Sequence, residues 1–149
     1  MSSTKIAPTT DDYQFALLTP VQFPLAKKFY KAARYSSKIG REDEVYVLRQ
    51  QNSIIASLKL VKLDQYLILR SMVVSPEHRG QGIGLLMLHY LVDELENREC
   101  WCFPFDGLEK FYSSIGFRTF TPEDCPNIIK QKYQQYFSQG KKIFIMKRD

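Results

Sequence analysis

This chain lacks long apolar runs, a signal-peptide pattern at its N-terminus and an even number of cysteines. Each absence excludes a class of protein. No stretch of the 149 residues approaches the roughly 20 apolar residues that a membrane-spanning helix needs. The first residues lack the basic and apolar regions of a secretory signal peptide. Three cysteines, an odd number, are typical of a reducing compartment. We therefore expect a cytoplasmic protein with no membrane partner.

Residues that hold metals are also scarce. The two histidines, His78 and His89, are too few and too widely separated to indicate a metal site. Cys100 and Cys102 lie two apart on a predicted strand, so they share one face and cannot easily pair with each other. We interpret them as buried packing residues rather than reactive thiols, and we expect no metal.

Basic residues are in excess without forming a nucleic-acid signature. The net charge is +5 and the isoelectric point is about 9.1. These charges are dispersed along the chain, and no recognised nucleic-acid-reading motif accompanies them. The excess is compatible with an anionic small molecule, and we expect no nucleic-acid partner.

Size and composition are those of one globular domain. A hydrophobic share of 44% with 25% charged residues is ordinary for such a domain, and the length suffices for a real core. Residues 1–12 are polar and featureless, which predicts a flexible tail. Residues 13–149 then form the single domain, with no repeat, linker or low-complexity segment.

Apolar periodicity predicts alternating strands and helices. Strands are expected at 13–18, 45–48, 54–61, 66–74, 100–103, 118–120 and 142–148, and helices from Thr19 or Pro24 to about 33, at 83–95, 108–115 and 127–138. The fold class is therefore mixed α/β, with a central, mostly antiparallel sheet and helices on both faces.

A glycine-rich segment, Arg-Gly-Gln-Gly-Ile-Gly at residues 79–84, connects the strand at 66–74 to the helix that begins at Ile83. Glycine lets the backbone adopt positive φ and approach a ligand closely. Amides at a helix start are unpaired donors at the positive end of the helix dipole. The segment predicts an anion site, most simply for a phosphate, although a tight turn without a ligand would have the same composition.

Two common phosphate motifs do not fit this segment. A P-loop would end in Gly-Lys-Ser/Thr, whereas this chain has Gly84-Leu85-Leu86. The Gly-x-Gly-x-x-Gly pattern of dinucleotide sites fails in both registers. The spacing Arg79-x-x-Gly82-x-Gly84 instead resembles the pyrophosphate loop of the GNAT superfamily of N-acetyltransferases.

A second segment strengthens this resemblance. Residues 108–117 read Leu-Glu-Lys-Phe-Tyr-Ser-Ser-Ile-Gly-Phe and are similar to the short late helix of GNAT domains, which ends in Gly-Phe. The two motifs lie in the family's order with a strand between them. The resemblance implies a sheet splayed between its fourth and fifth strands, where the pantetheine arm of acetyl-CoA inserts. It also implies acetyl transfer to a primary amine of a small molecule or peptide by direct attack.

The resemblance assigns roles to particular residues. Tyr112 matches the tyrosine that donates a proton to the leaving thiolate, although it could equally pack in the helix face. Coenzyme A contacts are expected from backbone groups of Met72, Val73 and Val74, from Phe111, and from the loop residues Arg79, Gly80, Gln81, Gly82, Ile83 and Gly84.

The resemblance implies an acceptor site lined by the first helix, the loop that follows it and the segment before the last strand. There Tyr30, Arg34, Tyr35 and Arg41 could line a pocket for a small amine that carries a carboxylate. A solvated loop with packed aromatic residues is the alternative. The state of assembly is expected to be a monomer or a homodimer.

Two departures from the family pattern bear on activity. The strand at 66–74 contains no carboxylate to act as general base, and Phe105 stands where the family often has an asparagine. Asp64, Asp106 and Glu109 lie nearby but are expected to be solvated. A non-catalytic GNAT-fold module that binds acetyl-CoA and regulates a partner is therefore the alternative function.

Overall fold

Seven strands form one mixed sheet in the computed structural model, which describes residues 13–149. The strands are β1 (Gln14–Leu17), β2 (Glu44–Gln50), β3 (Ser53–Leu63), β4 (Tyr66–Val74), β5 (Cys100–Cys102), β6 (Arg118–Phe120) and β7 (Ile145–Arg148). Their order in the sheet is β1-β2-β3-β4-β5-β7-β6. The β4–β5 pair is parallel and the other pairs are antiparallel, which confirms the mixed α/β prediction. The predicted tail, 1–12, lies outside the described residues.

Helices cover both faces of the sheet. They are α1 (Phe23–Ala32), α2 (Ile83–Glu94), α3 (Glu109–Ser113) and α4 (Asn127–Ser138), with short 3-10 turns at Pro20–Gln22, Pro76–His78 and Pro122–Asp124. Alternate strand residues face opposite sides. Thus Val45 and Val47 pack with α1, whereas Tyr46 and Leu48 pack with α2 and α3. The α4 helix packs through Ile129 against the far end of the sheet.

The largest apolar core lies between the sheet and the helices α2 and α3. Met87, Leu88 and Leu91 of α2 are completely buried there. Burying a side chain of this size contributes about 1.5–3 kcal/mol. This packing fixes the position of the N-terminus of α2 relative to β4. None of the helices in residues 13–149 combines the length and apolar character needed to cross a membrane.

A bulge interrupts β4 beyond its midpoint. The register pairs Ser57 with Val73 and Lys59 with Arg70. One residue of β3 therefore faces two residues of β4, Ser71 and Met72, and Ser71 has the unusual φ of +57°. An extra residue inverts the alternation of side chains beyond it. Met72 consequently packs toward α2 and α3, on the same side as Leu69.

The sheet opens between β4 and β5 just before this bulge. The two strands share only the pairs Ile68–Trp101 and Leu69–Cys102. Beyond these pairs, the segment after β5 leaves β4 and pairs with the segment before β7. Phe144 N donates to Pro104 O, and Phe105 forms a β-bridge with Ile143. The predicted splay between the fourth and fifth strands is thereby confirmed.

Element ends differ from the sequence expectation by a few residues. The first helix follows a 3-10 turn in which Thr19 N donates to Gln22 Oε1 over 2.9 Å, so α1 proper starts at Phe23. The last strand begins at 145 instead of 142, since Ile143 and Phe144 pair with the segment after β5. The third helix is only five residues long, Glu109–Ser113.

Candidate active site

The glycine-rich loop presents free backbone amides. Gly80 and Gly82 have φ of +76° and +78°, and a Cβ at either position would meet nothing within 4 Å. Within residues 13–149, the amides of Gly80, Gln81 and Gly82 have no hydrogen-bond acceptor. The first bond of α2 runs from Leu86 N to Gly82 O, so the earlier amides of this turn are also free. No acidic side chain lies in this turn, and the residues present therefore fit a pyrophosphate.

Gly84 has a different role from the other two glycines. It is helical, and a Cβ there would lie 3.2 Å from Phe111 Cζ and 3.5 Å from Met72 Cε. The distance to Phe111 is shorter than an ordinary contact, and the distance to Met72 is an ordinary one, so glycine allows α2 to approach α3 closely. Phe111, predicted to contact coenzyme A, packs against this helix.

Side chains tie the loop to the preceding turn. Arg79 Nε donates to Val74 O over 3.1 Å, and Gln81 Nε2 donates to Glu77 O over 3.3 Å. His78 Nδ1 lies 2.6 Å from Ser75 Oγ. Arg79 and Gln81 are exposed at the surface of the loop. These bonds hold the backbone of the loop and leave two nitrogens of the Arg79 guanidinium without a partner in the described chain.

A cleft of about 210 Å³ occupies the gap between β4 and β5. The residues that line it are Tyr35, Leu69, Arg70, Ser71, Met72, Cys102, Phe103, Pro104, Phe105, Leu108, Tyr112, Tyr136, Lys141 and Ile143. Of the predicted site residues, Met72, Tyr35 and Tyr112 are brought together here. Val73 points into the core with α1, and only its backbone could contribute, as expected from the sequence.

Tyr112 lines this cleft and carries a hydroxyl that has no hydrogen-bond partner in the described part of the chain. Its ring is only 8% exposed and packs edge-on against Phe111 and Phe117, with centroids 5.0 and 6.0 Å apart. Within residues 13–149 the hydroxyl has no hydrogen-bond partner, and it is not among the fully enclosed polar atoms. Burial raises the pKa of the Tyr112 phenol above its ordinary value, and Cys102 and Tyr35 raise it further. The group is therefore a neutral proton donor.

Tyr30 supports the β4 bulge from the opposite side. Its hydroxyl donates to Ser71 O over 2.8 Å, and Ser37 Oγ lies 3.1 Å from Ser71 Oγ. Tyr30 is 1% exposed, so it belongs to the core and is not accessible to an acceptor, which corrects the sequence prediction. The peptide bond after Ser71 is trans, so the Met72 N–H points opposite to the carbonyl that Tyr30 holds.

The family model of the GNAT acetyltransferase domain matches residues 41–119, which span β4, the glycine-rich loop and Tyr112. The chain belongs to the GNAT acetyltransferase family. Acetyl transfer is the general activity of this family, with acetyl-CoA as donor. The two motifs that suggested the resemblance therefore identify the family correctly.

Solved structures share the fold over nearly all of the GNAT domain. The Escherichia coli ribosomal-protein-S18-alanine N-acetyltransferase is similar with a TM-score of 0.64 at 19% identity, over 91% of this chain and 92% of that chain. The Bacillus cereus IAA acetyltransferase has a TM-score of 0.65 at 15% identity, over 91% of this chain and 98% of that chain. The Neisseria gonorrhoeae N-acetylglutamate synthase, complexed with coenzyme A and L-arginine, has a TM-score of 0.64 at 13% identity, over 91% of this chain and 32% of that chain. No curated protein sequence matched the chain. Likeness at these identities concerns the fold alone.

The predicted acceptor arginines of the GNAT domain do not line the cleft. Arg34 ends the turn after α1 with φ of +59°, and Arg41 lies in the turn before β2; both are exposed. Two other cations line the cleft instead, Arg70 and Lys141. Arg70 was recognisable as the single charged residue of the apolar strand β4. Lys141 becomes relevant only because the segment before β7 folds over the gap.

Carboxylates are absent from the lining of the cleft in the described GNAT domain, as is histidine. Glu109 accepts from Gly107 N over 2.8 Å, and Asp106 is exposed, in agreement with their expected solvated roles. Phe105, the residue in place of the asparagine, lines the cleft and is 56% exposed. No group of three or more metal-binding side chains lies together in residues 13–149.

Proposed function

We propose that this protein is an acetyl-CoA-dependent N-acetyltransferase that acts on a primary amine of a small molecule or peptide by direct attack. The observation that carries the proposal is Tyr112, which lines the cleft beside the β4 bulge and whose hydroxyl has no hydrogen-bond partner within residues 13–149. A module that only bound coenzyme A would have no need for a proton donor at this position.

The donor side is formed by backbone groups. The amides of the glycine-rich loop would bind the pyrophosphate, with charge added by Arg79. The pantetheine arm would lie in the gap beyond the two β4–β5 pairs. The thioester carbonyl would then reach the Met72 N–H, which the bulge directs away from Tyr30. A fixed amide at this position stabilises negative charge on the carbonyl oxygen.

Each bond change has a group that assists it. The acceptor ammonium first loses a proton to water, and the free amine attacks the thioester carbon. As the tetrahedral intermediate collapses, the carbon–sulfur bond breaks and Tyr112 donates its proton to the sulfur. The proton released when the new amide forms passes to solvent, which also reprotonates the phenolate.

Deprotonation without a carboxylate base is helped by local charge. Arg70 and Lys141 line the cleft, and Lys132 lies beside them. Nearby positive charge disfavours a protonated amine and lowers its pKa. The amine can therefore release its proton directly to water.

The second candidate is a coenzyme A-binding module without turnover. The absence of Asp, Glu and His from the cleft lining of the described chain favours it. Thiol release from acetyl-CoA in the presence of a broad amine panel, with mass spectrometry of the products, separates the two functions. Coenzyme A binding without thiol release for any amine would favour the module.

Binding at the loop is tested by Gly82→Asp. The new carboxylate would occupy open space against the pyrophosphate, and we expect calorimetry to show coenzyme A affinity lowered by about tenfold or more. Gly140→Asp is the matched control, because Gly140 has φ of +79° and equally open surroundings. Wild-type affinity in a folded Gly82→Asp variant would refute the loop as the binding site.

A further inference from the structure

Three cations line the two cavities to which Tyr136 contributes. The Nζ atoms of Lys132 and Lys141 lie 5.4 and 5.0 Å from the centroid of the Tyr136 ring. Arg70 lines the cleft together with Lys141 and lines an adjoining pocket of about 50 Å³ together with Lys132. Tyr136 and Phe103 line both cavities, so the two lie side by side. We call Arg70, Lys132 and Lys141 the cationic cluster.

The cationic cluster lacks a counter-charge. Within residues 13–149, none of its three members forms an ion pair, whereas Lys59, Arg98, Arg118 and Lys147 each do. The pKa of Lys132 is lowered by burial and then by the charges of Arg70 and Lys141, so the three groups repel one another. Repulsion of this kind is relieved when an anion binds among the cations.

The cluster lies on the acceptor side of the sheet. Arg70 follows Leu69, which packs with α2 and α3, so its side chain projects from the other face. Lys132 belongs to α4 on that face. The glycine-rich loop begins α2 on the opposite face. The phosphates of a coenzyme A held by the loop would therefore be separated from the cluster by the sheet.

We propose that the amine acceptor carries an anionic group, a carboxylate or a phosphate, which Arg70, Lys132 and Lys141 bind while the amine reaches the cleft beside Tyr112. This inference rests on the proposed acetyltransferase function and specifies its substrate class. The aromatic rings of Tyr35, Phe103 and Tyr136 border the same space, and its small volume suits a compact acceptor. Arg70 supplies the planar fork that binds such a group through two hydrogen bonds, and the lysines add charge.

The test compares matched acceptors at saturating acetyl-CoA. Amino acids are paired with their amides, and aminoalkyl phosphates with the corresponding amino alcohols, with kcat/KM measured by thiol release. We expect the wild type to prefer the anionic member of each pair and to lose the preference at high salt. The larger of the two preferences identifies the carboxylate or the phosphate as the natural group.

Variants assign the preference to the cluster. Arg70→Gln should lower kcat/KM about ten- to hundredfold more for the anionic acceptor than for its neutral partner, because only the anionic acceptor loses a charge-assisted hydrogen bond. Arg70→Lys should recover only part of the loss, because it restores the charge without the fork. Lys130→Gln, on the same helix as Lys132 but outside both cavities, is the control for a general effect of charge. Circular dichroism checks that each variant is folded.

Each outcome is decisive. Equal kcat/KM for charged and neutral acceptors in the wild type, or an unchanged preference in Arg70→Gln, would overturn the anionic-acceptor inference while acetyl transfer stands. If the preference for anionic acceptors were lost in Arg34→Gln but kept in Arg70→Gln, the anionic group would be bound by the loop after α1 instead of the cationic cluster. If no amine is acetylated, the proposed function fails. In that case, calorimetry compares the affinity of the same anionic amines for the acetyl-CoA-loaded wild type and for acetyl-CoA-loaded Arg70→Gln. A lower affinity in the variant would support the anion site independently of turnover, and equal affinities would overturn it.

Discussion

Tyr112 is the side chain on which the proposed chemistry most directly depends. Tyr112→Phe removes the proton donor and leaves the packing of the ring against Phe111 and Phe117 in place. We expect kcat to fall by roughly one to three orders of magnitude, with the KM for acetyl-CoA nearly unchanged. Steady-state kinetics at saturating acceptor measure both constants. A wild-type rate would assign Tyr112 to packing alone.

The pH dependence of the same pair of enzymes gives a second measurement. A donor is active below its pKa, and burial raises the pKa of Tyr112, so the active form persists to higher pH than for an exposed phenol. We therefore expect kcat to rise with pH as the bound amine deprotonates and to show no descending limb up to about pH 10, the ordinary value for tyrosine. A descending limb near neutral pH that disappears in Tyr112→Phe would contradict this assignment.

The positions of some residues in the proposed site could be inferred from the sequence, whereas those of others could not. The motifs that contain Gly82 and Tyr112 could be recognised because they are local, with spacing set by one loop and one helix. Tyr30 was misassigned, because its partner Ser71 is 41 positions away along the chain. Lys141 was missed for a similar reason, since only the packing of the segment before β7 brings it to Arg70.

At the scale of the element, the bulge in β4 is the feature that shapes the proposed donor site. Tyr30→Phe would remove the hydrogen bond to Ser71 O without opening a cavity. We expect the free energy of unfolding to fall by about 0.5–1.5 kcal/mol, and kcat to fall more than the KM for acetyl-CoA rises, because the Met72 amide loses its fixed direction. Urea denaturation and steady-state kinetics provide the two readouts.

Tyr90→Phe is the matched control for this prediction. Tyr90 stacks on Phe15 with ring centroids 5.4 Å apart, and its hydroxyl has no hydrogen-bond partner in residues 13–149. Its removal should leave stability and kcat close to the wild type. Equal effects of the two substitutions would show that the bond to Ser71 has no special role in positioning β4.

Elements were predicted well where their periodicity is local. The strand at 66–74 and the helix at 127–138 were placed with the observed bounds. The bulge could not be predicted, since it depends on the register between β3 and β4. The gap between β4 and β5 was expected only from the family resemblance, and the parallel pairing of these strands was not predicted, because alternation within a strand says nothing about its neighbours.

At the scale of the whole molecule, coenzyme A would bridge two parts of the sheet that share few hydrogen bonds. Only two residue pairs connect β4 to β5. Ligand at about 100 times its Kd should stabilise the native state by about 2.7 kcal/mol. We expect a higher Tm with coenzyme A, and slower hydrogen exchange at the β4 and β5 amides that flank the gap.

Gly82→Asp supplies the control for this effect. With the loop blocked, the same concentration of coenzyme A should raise the Tm less and leave exchange in the two strands unchanged. Protection of the flanking strands to the same extent in both proteins would mean that the ligand binds elsewhere.

The free amides of the glycine-rich loop have a consequence for how this fold diverges. A backbone N–H is present whatever side chain a residue carries, so the donor site tolerates extensive drift as long as a few φ angles are kept. Relatives at 13–19% identity can accordingly keep the same chain path. The acceptor site that we propose depends instead on a handful of side chains on separate elements. Exchanging those few residues can therefore change the substrate, while the donor site is preserved through its backbone conformation rather than through residue identity.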